Sequence, residues 1–270
     1  MRFLTVNYQS VPEIGRLWAS LAQIPGTHEL WVVDNAQERA ALQALGGEGR
    51  LHILDAGGNL GFGRACNLGL QRLWAEGRSP VWLINPDAWL GSGAVAAVES
   101  VVGNAAIVGT TLQDEQGCPI FAGGRYAPHT GRIWEEPSDR PQWVSGASLI
   151  LDLAQFPECP TFDEDFFLYY EDFELCQRYQ RLGYPLTLVP AAVYHAPATV
   201  TGRTPVAKIR WQTGSYLMAL HKVGPPWALL YRLGRIGLSG YGKPPAIAQA
   251  QSAGLQDYLN WAGWGHPRTA

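Results

Sequence analysis

Long apolar runs are missing from this chain of 270 residues. No stretch reaches the ~18 uninterrupted apolar side chains that a membrane-crossing helix needs. Cysteine is scarce as well. The four present, Cys66, Cys118, Cys159 and Cys176, form neither a C-x-x-C pair nor a zinc-ligand spacing, and they predict reduced thiols in a reducing compartment. Charged side chains make up 16% and apolar ones 47%, a balance that excludes disorder, collagen and coiled coil. Met1 leads straight into the strand-like Arg2-Phe3-Leu4-Thr5-Val6, so no signal peptide is expected and the predicted location is cytoplasmic. The length suits one large α/β domain, or a domain with an appendage.

Charge is unevenly spread. The formal net charge is −3, yet residues 201–270 hold eight basic side chains against the single acid Asp257, a balance of +7. Residues 1–200 therefore carry −10. Such asymmetry points to a surface that meets something anionic.

Strand and helix signals alternate through the first hundred residues. Apolar runs at 3–6, 30–33, 51–54 and 81–84 read as strands, and 13–21, 37–45, 64–74 and 94–102 read as helices. Repeated units of this kind predict a parallel sheet flanked by helices, with ligands beyond the carboxyl ends of its strands. Polar residues fall at those ends: Asn7, Asp34, Asn59, then Asn85 with Asp87. Residues 110–160 are irregular. Residues 170–181 read as a helix, 185–189 and 193–194 as strands, and basic helices with apolar faces follow Pro205.

Each candidate motif has a plain rival. Asp34 can accept a hydrogen bond from a nucleotide, or it can cap a helix. The glycine-rich Gly57-Gly58-Asn59-Leu60-Gly61-Phe62-Gly63 lets backbone approach a phosphate or sugar, or simply makes a tight turn. It lacks the third glycine of a dinucleotide fingerprint and sits in the wrong β-α unit for one. Asn85-Pro86-Asp87 presents one carboxylate rigidly, or makes a turn. In 162–174, six carboxylates are interleaved with Phe and Tyr. A helix dipole accounts for Glu171, Asp172 and Glu174. The aromatic walls point further, to a pocket for a sugar-like ring with one acid serving as base. His195 reads as a structural histidine unless the fold brings it near Asp87.

Taken together these pieces resemble the inverting family 2 glycosyltransferases of the GT-A fold, in particular their rhamnosyltransferase-like branch. The resemblance rests on Val32-Val33-Asp34-Asn35, on Asn59-Leu60-Gly61-Phe62-Gly63 with Asn67 and Gly69, and on Leu83-Ile84-Asn85-Pro86-Asp87-Ala88. It continues in Val144-Ser145-Gly146-Ala147, in Phe162-Asp163-Glu164 through Arg178, in Gly183-Tyr184 and in His195, and covers residues 1–200. It implies a Rossmann-like, mostly parallel sheet flanked by helices over 1–200, with 201–270 as a basic, mostly helical extension.

The resemblance also implies roles. Asp34 would bind the uracil or thymine of a UDP- or dTDP-sugar, with Thr5 and Asn7 beside it. Asn59, Gly61 and Asn67 would lie along the nucleotide and donor sugar. Asp87 would meet the diphosphate directly or through Mg²⁺ or Mn²⁺, and His195 would complete the shell of that cation. Asp172, paired with Glu171, would be the catalytic base, with Asp163, Glu164 and Trp143 on the acceptor side. The acceptor would be a glycan or a lipid-linked sugar, as in cell-surface polysaccharide or glycolipid synthesis. Two departures stand out. Asn85 replaces the first aspartate of the usual motif, so metal-dependent and metal-independent donor binding both stand. Cys159-Pro160-Thr161 replaces a small glycine-containing turn on the acceptor side.

The basic extension fits a helix lying on an anionic membrane surface at the inner face of the cell membrane, or helices packed on the catalytic body. Nucleic acid is not expected, since the basic residues are tied to apolar helix faces and the whole chain is acidic. Rival functions are a nucleotidyltransferase and a non-catalytic sugar-nucleotide-binding module. The first lacks its Gly-rich basic loop after strand one, and the intact Glu171-Asp172 pair argues against the second.

Overall fold

The computed structural model describes residues 1–47, 49–138, 140–196, 205–238 and 243–264. Arg203, Arg268 and the expected boundary between residues 200 and 201 lie outside the described residues.

The chain opens with β1 (Arg2–Asn7), α1 (Val11–Leu21), β2 (Glu29–Asp34), α2 (Arg39–Gln43), β3 (Leu51–Asp55) and α3 (Phe62–Glu76). Strand β4 (Val81–Ile84) turns into the short β5 (Ala88–Leu90) before α4 (Ala94–Glu99). Then come β6 (Ile107–Gln113), β7 (Pro119–Phe121), the hairpin β8 (Gly124–Ala127) and β9 (Arg132–Glu135), and β10 (Ser148–Leu151). The chain continues through α5 (Glu171–Arg181), β11 (Leu186–His195), α6 (Pro205–Val223), α7 (Pro226–Leu238) and α8 (Pro245–Trp261). The main sheet has the order β3-β2-β1-β4-β10-β6-β11-β5, with β7 beside β6. The first four strands are parallel, β10 enters antiparallel between β4 and β6, and β6 and β11 are parallel again.

Strand alternation sorts the core into two faces. On β1, Phe3 packs with Ile14, Leu17 and Trp82, while Leu4 and Val6 pack with Ala65, Leu70 and Leu175. Helices α1 and α4 cover the first face, α3 and α5 the second. Each fully buried aliphatic side chain contributes ~1.5–3 kcal/mol, so this double-sided core holds the strand ends rigidly.

Helix α4 ends at Glu99 rather than at 102, and three further elements differ from the sequence reading. Helix α2 is shorter than 37–45 because Gln37 and Gly46 both take left-handed backbone. The two expected strands 185–189 and 193–194 are one strand, Leu186–His195, with a register shift between Val189 and Ala192, around Pro190, which has no N–H to give the ladder. Within the irregular 110–160 stretch, Ser148–Leu151 forms a fully buried strand in the middle of the sheet.

The C-terminal helices divide. Leu217, Leu220 and Val223 of α6 and Tyr258 of α8 share a core with Tyr126, Phe166 and Phe173. Arg210 on α6 grips Asp257 on α8 through two hydrogen bonds of 2.6 and 2.7 Å. Helix α7 buries Ala228 and Leu229 and leaves Trp227, Leu230, Tyr231 and Leu238 exposed.

Candidate active site

A cavity of about 980 Å³ opens beyond the carboxyl ends of β1, β2 and β4. Asn59, Gly61, Asp87, Trp143, Glu171, Asp172 and His195 all line it. Thr5, Asn7, Asp34 and Asn67 are buried around it without lining it. Asp163 and Glu164 lie on the loop before α5 and also stand off its wall.

At the ends of β1 and β2, Asn7 Nδ2 donates to Asp34 Oδ1 at 2.9 Å and to Glu38 Oε2 at 3.1 Å. Its Oδ1 accepts from Ser10 N, so the buried Asn7 is fully engaged in shaping the β1–α1 turn. Asp34 Oδ1 also accepts from Ala36 N. The neighbouring Asn35 reaches the cavity and donates to the Gly61 carbonyl at 2.9 Å. Gly61 is further held by Asn59 Oδ1, which accepts its N–H at 3.0 Å. Its φ of 81° is left-handed, and a Cβ there would lie 2.2 Å from the Phe167 carbonyl oxygen. That close approach is what the glycine permits, and the Phe62 N–H donates to the same carbonyl at 3.1 Å.

Register brings Asp87 and His195 together. Strand β5 pairs antiparallel with β11, setting Ala88 opposite His195, and His195 Nε2 lies 3.2 Å from Asp87 Oδ1. Asn85 Nδ2 is 3.5 Å from the same ring nitrogen. Among the described residues no group of three or more His, Cys, Asp and Glu side chains is placed to hold a metal ion. Asp87 and His195 supply two donors. That fits Mg²⁺ or Mn²⁺ when diphosphate oxygens and water complete the octahedron, the usual arrangement where a cation binds with its phosphate substrate.

The acid–aromatic segment is fixed from several sides. Asn67 donates to the Phe162 carbonyl at 2.9 Å and accepts its N–H at 2.7 Å, locking the segment onto α3. Lys222 of α6 bridges Asp163 at 2.8 Å and Asp165 at 2.6 Å. Burial alone would raise the Asp163 carboxyl, but the bonds from Lys222 and the Asp165 N–H outweigh it and hold the group below its ordinary value. Glu174 is buried and taken up by Arg178, 2.8 and 3.0 Å away. Tyr169 and Tyr170 both have left-handed backbone, φ 72° and 65°. Bulky residues pay roughly 1–3 kcal/mol each for this, a strain typical of functional sites.

Asp172 sits in the first turn of α5 with its carboxylate held by backbone. Oδ2 accepts from Gly146 N at 2.8 Å and Oδ1 from Phe173 N at 2.7 Å. Burial raises its pKa above the ordinary carboxylate value; the backbone donors pull it down, and the Glu135 charge adds to the rise. The same two carboxylates, after burial, push the Tyr170 hydroxyl up to about 12. Glu135 and Trp134 of β9 and Trp211 and Gln212 of α6 complete the wall. None of these four was singled out from sequence. The one signal available was Trp134-Glu135, an aromatic beside an acid as in 162–174.

No protein-family model matches the chain. It is 28% identical to the N-acetylglucosaminyl-diphospho-decaprenol L-rhamnosyltransferase of Mycobacterium tuberculosis, over 81% of this chain and 80% of that protein. It is 25% identical to the low-salt glycan biosynthesis hexosyltransferase Agl10 of Haloferax volcanii, over 67% of this chain and 62% of that one. Among solved structures, GalNAc-T7 with UDP, GalNAc and Mn²⁺ superposes with a TM-score of 0.66 at 13% identity. That match covers 97% of this chain but only 55% of GalNAc-T7, so the chain spans little more than half that structure. The chain therefore has the GT-A fold, and its curated homologues are glycosyltransferases.

Proposed function

We propose that this chain moves a hexosyl group from a UDP- or dTDP-activated donor to a hydroxyl of a lipid-linked sugar, with inversion at the anomeric carbon. The observation that carries the reading is the Asp172 carboxylate, oriented by Gly146 and Phe173, in the same cavity as the Asp87–His195 pair. Asp172 takes the proton of the acceptor hydroxyl as that oxygen bonds to the anomeric carbon. The bond from that carbon to the diphosphate oxygen breaks, and the nucleoside diphosphate leaves with the electron pair. Burial makes Asp172 a stronger base than an exposed aspartate.

Asp87 and His195 would hold a divalent cation, which when bound neutralises charge on the diphosphate. Asp34, off the cavity wall, shapes the nucleobase end through its bonds with Asn7 and the Ala36 N–H, with Thr5 buried nearby, while Asn35 faces the donor there. Asn59 and Gly61 lie along the donor. Asn67, Asp163 and Glu164 act through the segment that they hold in place, while Glu171 and Trp143 wall the reacting centre. The turn after β1 carries no basic side chain, which speaks against a nucleotidyltransferase.

In this reading the acceptor comes from a bilayer at the inner face of the membrane. Among the described residues, no helix is long and apolar enough to cross a membrane. The exposed stripe of α7 offers a shallower contact: Trp227 is 59% exposed, Leu230 63% and Leu238 72%, on an extension of net +7. Apolar side chains beside arginines suit an anionic interface. Calorimetry with UDP and dTDP, each with and without Mn²⁺, tests the donor site. Binding of at least one nucleotide, tightened by Mn²⁺, is expected; binding of neither overturns the function.

A further inference from the structure

A second cavity, of about 380 Å³, adjoins the first through the shared wall residues Ile133, Tyr170 and Gln212. Four cations line it: Arg132 from β9, Arg232 and Arg235 from α7, and Lys243 ahead of α8. Among the described residues, no carboxylate lines it. Among the described residues, none of the four stands within 4.0 Å of a carboxylate oxygen. Two other basic residues of the C-terminal helices are treated differently: Arg210 is spent on Asp257 and Lys222 on Asp163 and Asp165.

The four side chains are positioned rather than loose. Arg232 Nε donates to the Thr130 carbonyl at 2.7 Å, and its guanidinium lies over the Tyr216 and Tyr231 rings. Arg235 also lies over Tyr231 and donates to its hydroxyl at 3.4 Å, and Lys243 Nζ donates to Gln251 Oε1 at 2.9 Å. Arg132 lies over Trp134, a residue of the first cavity. Like charges gathered in one concavity repel one another, and an anion placed among them relieves that repulsion. Arginine forks match phosphate oxygens two at a time.

We propose that this cavity is a phosphate subsite for the acceptor, taking the phosphate or diphosphate that links its sugar to a lipid. The inference rests on the transferase reading above and deepens it. The diphosphate of the donor is a different anion, since Asp87 and His195 line only the first cavity. Tyr170 borders both spaces, so a sugar attached to an anion in the second cavity extends past Tyr170 toward Asp172. The lipid leaves along α7, the helix that supplies two of the arginines and carries the exposed apolar stripe.

The test is calorimetry with farnesyl diphosphate and inorganic pyrophosphate as probes, in the presence of saturating UDP so that the donor site is filled. The unmodified protein is expected to bind farnesyl diphosphate at least tenfold tighter than pyrophosphate. In Arg232→Gln/Arg235→Gln the farnesyl diphosphate affinity falls at least tenfold, and in the milder Lys243→Gln about threefold. Retained UDP affinity in both variants shows that they are folded. Farnesyl diphosphate binding that ignores these substitutions, or is absent with UDP bound, overturns the subsite. Equal affinity for the two probes overturns the lipid-linked source. Failure of UDP and dTDP to bind the unmodified protein overturns the transferase reading instead, and farnesyl diphosphate titrated alone then still reports on the four cations.

Discussion

Asp172 Oδ2 accepts the Gly146 backbone N–H at 2.8 Å, and a Cβ on Gly146 would stand 3.3 Å from the Asp172 Cβ. The glycine thus admits the carboxylate to a backbone donor that aims it. The added methyl of Gly146→Ala would also meet Phe62 at 3.2 Å. We expect this substitution to lower kcat about tenfold or more, since misplacing a reacting group by a fraction of an ångström is costly. The Kd for UDP should change less than threefold, which separates aim from donor binding.

Ionisation of Asp172 sets the acid limb of the pH profile. Burial raises its folded pKa above the unfolded value, so the folded state holds its proton more readily. Activity should rise as pH passes upward through that raised value, because only the carboxylate can accept a proton. Stability moves the other way: through the window between the unfolded and the folded pKa, raising pH costs folding free energy. Asp172→Asn removes that cost, so its Tm at pH 7 should equal or exceed that of the unmodified protein. Thermal melts of both proteins at pH 4 and pH 7 check the sign for stability, and kcat measured across the same range checks the sign for activity.

Gly61→Ala tests the contact that seats the acid–aromatic segment. The new Cβ would collide with the Phe167 carbonyl, on a backbone already left-handed. A loss of about 2–4 kcal/mol in urea unfolding is expected, in the range of strained positive-φ substitutions that also overpack. Gly57 is a control: its φ is 71°, but nothing lies within 4 Å of a Cβ there, so Gly57→Ala should cost only about 1 kcal/mol.

The β-α half of the chain was legible because strand and helix periods differ and because a polar residue closes each apolar run at or just beyond its strand end. Asp34, Asn59 and Asp87 could be placed on those grounds. Ser148–Leu151 could not, since a four-residue buried run has no alternation to read and only a three-residue 3-10 turn, Leu153–Gln155, follows it. His195 gained its meaning only from the β5–β11 register. Glu135 is brought beside Asp172 by a hairpin inside an irregular stretch, a juxtaposition with no local signature. The C-terminal basic stretch illustrates the same limit: its composition shows helices with cations, but only packing shows that α6 and α8 turn their apolar faces inward and α7 turns several outward.

That outward face predicts an interfacial contact. Trp227→Ser/Leu230→Ser should reduce cosedimentation with vesicles containing phosphatidylglycerol at least fivefold, and leave UDP binding unchanged. Vesicles of phosphatidylcholine alone should bind weakly, and added salt should weaken the anionic case, because arginines near the surface contribute through screened charge.

Lys222 joins α6 to the segment before α5 through Asp163 and Asp165. Its replacement by Met should cost about 1 kcal/mol, given a pair that is partly exposed. The loss should appear in acceptor KM rather than in donor affinity, as measured by initial rates at saturating donor.

The central claim is that Asp172 is the base of an inverting sugar transfer. It is tested most directly by release of nucleoside diphosphate from a panel of UDP- and dTDP-hexoses with lipid-linked acceptor, in the unmodified protein and in Asp172→Asn, alongside UDP and dTDP affinity. The account predicts a rate lower by roughly 10²–10⁴ in the variant at unchanged nucleotide affinity. Full transfer by Asp172→Asn would contradict it.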